Sequence, residues 1–283
     1  MKKLLIFIVF VLSAVTLWGQ DFDSIVNRAK QCYFRNDFDG AEKEILYALD
    51  IDNKSPITHI LYNQLSICQR NLGKTNDALK SCSEAIKIKN DNPSYYTNRS
   101  FIETDLADYK SSIKDCDKAL ELNNKYIQAY NSRSTAKAEL KDFDGAILDL
   151  KIATSIDSNN LTTKFNTVFV LLKQGKNKES LELFNKYIAI YSDSSSKTQR
   201  AMLYNNRADI YIKQGKFELA IADIDKSIET DPLCDDCYVT KGEYFLNNGS
   251  YNLAYVCFNK AFDLGFKKQK IKDYIITCKK NMK

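Results

Sequence analysis

Histidine occurs once in these 283 residues, at position 59, beside three prolines and nine glycines. A single histidine leaves triad and acid–base catalysis little to work with. So little proline and glycine excludes a chain built on tight hairpin turns and favours helices. The chain also lacks a phosphate-binding glycine loop, Gly-x-Ser-x-Gly, His-Glu-x-x-His and a calcium loop, so no cofactor and no enzymatic activity are expected. Beyond Trp18 there is no apolar run of membrane length.

Such a run does open the chain. Residues 1–20 carry Lys2 and Lys3 and then an apolar stretch from Leu4 to Trp18, the make-up of a secretory signal. Export follows as the expectation, to the periplasm or cell envelope of a bacterium. The formal charge of +5 is unevenly held. Residues 267–283 have seven lysines against Asp273, and with the two opening lysines set aside, 21–266 is mildly acidic. A nucleic-acid partner is excluded, since it would need a basic working surface. Membrane contact is expected only through an uncleaved signal anchor or this basic tail.

What the chain does have is a repeat. FDGA (38–41), FDGA (143–146), FELA (217–220) and YNLA (251–254) share one phase, with TNDA (75–78) and YKSS (109–112) as weaker forms. The register gives seven blocks, 22–55, 59–92, 93–126, 127–160, 161–194, 201–234 and 235–268, with only 56–58 and 195–200 inserted. Positions 8, 20 and 27 are small, as in Ala29, Ala41 and Ala48 or Ala208, Ala220 and Ser227. Small residues at these spacings let two short helices approach closely, and bulkier ones at positions 4 and 24 fill the space between neighbours. Each block is then a helix–turn–helix that buries its apolar faces only by stacking. Residues 269–283 add an amphipathic capping helix and basic tail.

Residues 22–268 resemble the tetratricopeptide-repeat family. The match is best over 201–234, where Tyr204, Ala208, Tyr211, Gly215, Phe217, Ala220, Ile224 and Pro232 fall on the family pattern. It is poorest over 161–194, with Lys164, Val168, Ser180 and Tyr187 in place of the usual residues. The resemblance implies an all-α, right-handed α-solenoid of about seven repeats, with a concave surface that holds peptides. On that surface it places a protein-binding groove of Asn98, Phe101, Asn131, Phe165, Asn166, Phe169, Asn205, Asn206 and Asp209. The competing reading buries the phenylalanines as core. The basic side chains of repeats that clamp acidic chaperone tails are missing: Gln128 and Ser132 stand at the clamp positions after Asn98.

The blocks also align the chain with itself. Arg28, Arg99, Arg133 and Arg207 stand at position 7, and each has an acid sixteen residues on: Glu44, Asp115, Asp149 and Asp223. Blocks without the arginine lack the acid, so the expectation is a structural salt bridge between the two helices of one repeat.

Cys234 and Cys237 form a Cys-x-x-Cys across the last inter-repeat turn. Two aspartates between the thiols oppose a redox thiolate, and zinc would need two further ligands. A local structural disulfide and free thiols remain open. Cys82 and Cys116 sit on helices too far apart to bond, whereas Cys257 and Cys278 could meet. The function expected is a non-catalytic protein-interaction scaffold of the cell envelope. The alternatives are an exported thiol/disulfide-active factor using Cys234 and Cys237, or a self-assembling structural module.

Overall fold

The computed structural model describes residues 22–191, 196–266 and 269–282. The signal segment lies outside the described residues. Those described form fifteen helices and no strand. They fall into two units, one ending at Tyr126 and the other starting at Ile127. The first holds α1 (22–34), α2 (Phe38–Ile51), α3 (Thr58–Asn71), α4 (Thr75–Ile88), α5 (Pro93–Asp105) and α6 (Tyr109–Leu122). The second holds α7 (Ile127–Glu139), α8 (Phe143–Ile156), α9 (Leu161–Lys173), α10 (Asn177–Tyr191) and α11 (Lys197–Lys213). It continues through α12 (Phe217–Thr230), α13 (Asp235–Asn247), α14 (Tyr251–Leu264) and α15 (Gln269–Asn281).

The turns explain why the helices pair. Asn36, Gly73, Ala107, Lys141, Gly175, Gly215 and Gly249 all have φ between 58° and 77°. Each is the fifteenth residue of its block, where the first helix ends and the chain reverses in the left-handed region. Next comes the cap: Asp37, Asp108 and Asp142 accept bonds from the amides of Gly40, Ser111 and Gly145 and start the second helices. The two helices then close on their small residues, Ala41, Ala78, Ala146, Ala220 and Ala254 being wholly buried. Within the first unit, α1, α2 and α3 share a core of Ile25, Ala29, Ile45, Ala48, Leu61 and Leu65. In the second, α15 covers the last hairpin with Ile271 and Cys278 against Ala254 and Phe258.

Gly242, at position 8 of the last block, shows how close the fit is. A Cβ there would lie 2.5 Å from Cε1 of Phe258, which is itself fully buried and stacked on Tyr274 at 4.8 Å. Gly→Ala in an open helix gains about 1 kcal/mol. Here overpacking costs more, and Gly242→Ala is expected to lose about 1–2 kcal/mol net in a urea melt.

The fifth block fits by a different route. Lys164 replaces the usual aromatic, and its ammonium lies 4.7 Å from the Tyr191 ring centre and 5.9 Å from that of Tyr187, with a bond to the Tyr191 hydroxyl. Val168 is buried, and Phe165 stacks on buried Phe184 at 5.8 Å.

Candidate functional site

A cleft of about 240 Å³ opens in the second unit between α9 and α11. Its apolar lining is Phe165, Val168, Phe169, Leu172, Phe184 and Ile210, and its polar lining is Thr135, Asn166, Asn206, Asp209 and Lys213. α7 packs closely on α9, and α11 on α13, whereas α9 and α11 make no comparable approach. Of the inserted residues 195–200, the last four form the first turn of α11, which starts at Lys197.

Five of the nine residues expected in a groove meet in this cleft: Phe165, Asn166, Phe169, Asn206 and Asp209. Both phenylalanines are half-buried, holding the core with one side and facing the cleft with the other. Phe169 is backed by Lys173, whose ammonium lies 5.3 Å from the ring centre and is held by Glu139 at 2.8 Å. Asn166 donates to the Asn131 carbonyl at 3.0 Å, which fixes its amide at the wall. Asp209 is paired with Lys213, leaving the rim without net charge.

The remaining four are elsewhere. Asn131 and Asn205 do not line the cleft: they are buried, and the side-chain oxygen of each has no hydrogen-bond partner. Asn98 and Phe101 belong to the first unit. Asn98 donates to Asn63 at 2.8 Å, and Phe101 lies beneath the Arg70 guanidinium at 5.5 Å.

All four arginines reach their acids, at 2.9 Å for Arg28–Glu44 and 2.6 Å for Arg99–Asp115, Arg133–Asp149 and Arg207–Asp223. The last three are two-pronged, with Nε on one carboxylate oxygen and Nη2 on the other. Their hydrogen-bonded acids hold Arg99 and Arg207 above the ordinary guanidinium range. Two partners at position 11 went unread in the sequence. Lys137 adds a second cation to Asp149 at 2.9 Å. Glu103 adds a second acid beside Arg99, at 4.0 Å, and its Oε2 is buried without a partner. Burial first, then the Asp115 charge, pushes the Glu103 carboxyl up to about 8.

Cys234 and Cys237 are joined in a disulfide, and both are buried. The Cys234 sulfur also caps α13 by accepting from the Cys237 amide. Cys257 and Cys278 are not bonded, contrary to the expectation that they could meet. Cys278 packs on Ala254 and Phe258, and both thiols are free. Burial pushes Cys68 and Cys82 up to about 12, far from a reactive thiolate. Among the described residues no three His, Cys, Asp or Glu side chains group as a metal site, and no helix is long and apolar enough to cross a membrane.

Family models described as tetratricopeptide repeat match residues 59–92, 93–126 and 201–233. A crystal structure of a tetratricopeptide repeat protein from Parabacteroides merdae is similar over 92% of this chain and all of that one, with a TM-score of 0.63 and 23% identity. The APC/C hetero-tetramer Cut9–Hcn1 is similar over 95% of this chain and 58% of that one, with a TM-score of 0.52 and 11% identity. At these identities the likeness is one of fold. Sperm-associated antigen 1 from Mus musculus is 32% identical over 84 residues, 29% of this chain. The match spans only 9% of that relative's length.

Proposed function

We propose, from the premise that this chain is a tetratricopeptide-repeat protein and so a protein-interaction scaffold, that it holds an extended segment of another protein in the α9/α11 cleft. One observation carries this reading: two half-buried phenylalanines face an open space whose rim carries two amides. Apolar side chains anchor in such a space while amides hold the main chain of an extended peptide. The volume suits one or two side chains and falls below the roughly 300 Å³ at which small-molecule sites begin. With Asp209 and Lys213 neutralising each other, the occupant is selected by shape and apolar character rather than by charge.

The scaffold works outside the cytoplasm, in the cell envelope. The apolar opening segment supports this, as does a disulfide in an inter-repeat turn. The thiol-exchange alternative is disfavoured because both sulfurs are buried, leaving no access for an incoming thiolate. The test compares the native chain with Phe165→Ala/Phe169→Ala and Asn206→Ala as baits in envelope extract. Asn206 belongs to no core cluster, so its loss should leave helicity unchanged. Partners of the native chain are expected to fall at least about tenfold with the double variant and severalfold with Asn206→Ala. Identical partner sets from folded variants would move the binding surface elsewhere.

A further inference from the structure

The end of the second unit carries a surface unlike the cleft. α14 points Leu253, Val256 and Lys260 outward at helical spacing, while its buried side packs Ala254, Cys257, Phe258 and Ala261. α15 turns Ile271 and Cys278 inward and leaves Lys272, Ile276, Lys279 and Lys280 exposed. The two outer faces adjoin. Lys279 lies 5.6 Å from the ring centre of Tyr255, and Leu253 shares a small hollow with Asn281 and Met282. Leu253, Val256 and Ile276 are 51%, 64% and 49% exposed. Among the described residues, none of the four surrounding lysines is held in an ion pair. Asp263 and Asp273 are the acids on the same faces, so cations predominate.

We propose that this end of the molecule docks on an anionic lipid surface, with the lysines over the headgroups and the three aliphatic side chains entering the interface. Charge complementarity selects the class of partner. The cations stand on flexible stems round isolated aliphatic groups on outward-facing helices, the composition of an interfacial amphipathic surface. A peptide of acidic residues alone, such as polyglutamate, would use the lysines but gain nothing from Val256 and Ile276, so the aliphatic residues separate it from lipid. The proposal is independent of the cleft, which lies between α9 and α11.

The experiment is co-sedimentation of the chain without its first twenty residues, its helix content checked by circular dichroism. The vesicles are phosphatidylcholine alone, or with one-fifth phosphatidylglycerol. Binding is expected to the anionic vesicles only and to weaken as salt is raised. Each lysine contributes roughly fivefold at low salt, so Lys260→Gln/Lys272→Gln/Lys279→Gln/Lys280→Gln should lower binding by more than about tenfold. Val256→Ser/Ile276→Ser should lower it severalfold and leave retention on polyglutamate unchanged. Equal binding to both vesicle types, or an undiminished lysine variant, would overturn the proposal. Loss on the lysine change with no effect of the serine change would overturn it too, leaving attraction by charge alone with no aliphatic side chain entering the interface.

Discussion

Arg99→Met is expected to destabilise the protein by about 3–5 kcal/mol, the cost of leaving buried charge without its partner. Asp115 is 5% exposed and Glu103 8%, and Arg99 is the cation shown beside both. Removing it strands one carboxylate and leaves the neighbouring carboxyl without its counter-charge. Arg133→Met is expected to cost about half as much, because Lys137 still holds Asp149 at 2.9 Å. The tyrosine three residues before each arginine, Tyr96 or Tyr130, loses a similar ring contact in both variants, so the difference isolates the charges. Urea melts at neutral pH check this, and Arg99→Met/Asp115→Leu should regain most of the loss. Equal losses at the two sites would mean that the bridges act as packing and not as charge.

Glu103→Gln is expected to stabilise the protein by an amount that grows as pH rises above about 4.5. The carboxyl is pushed up to about 8 in the folded chain from an ordinary value of 4.5. Between those values the folded state binds more protons than the unfolded state, so stability falls as pH rises. The penalty is absent below about pH 4.5 and complete above about 8, where it reaches at most roughly 5 kcal/mol. Glutamine removes the charge while keeping the shape. Melting curves of the two proteins should therefore nearly coincide at pH 4.5 and separate progressively towards pH 8.5. A constant gap across that range would place the effect outside Glu103 ionisation.

The scaffold was legible because stacking imposes a strict period. Small residues recur wherever helices touch, and the left-handed turn residues Gly73, Gly175, Gly215 and Gly249 fall on the same register. The arginine–acid pairs could be read because seven blocks act as an internal alignment. Glu103 and Lys137 could not, since periodicity assigns position 11 to the interior without saying which charges meet there. Asn131 and Asn205 share a stripe with Phe165, yet they are buried while the phenylalanine reaches the cleft. The difference depends on how closely the next helix packs. Close packing holds between α7 and α9 and between α11 and α13, but not between α9 and α11. The inserted residues were visible, but the open space between α9 and α11 is a matter of three dimensions. Lys164 was legible as a departure from the pattern, whereas its seat beside Tyr187 and Tyr191 arises across a hairpin.

The most direct measurement places a photo-reactive amino acid at Phe169, in the cleft, or at Leu148, 58% exposed on α8 and outside the cleft, and irradiates each chain in native envelope extract. The account expects a partner peptide cross-linked from position 169 and absent from 148, at matched helicity. Cross-linking of the same partner from 148, with none from 169, would contradict it.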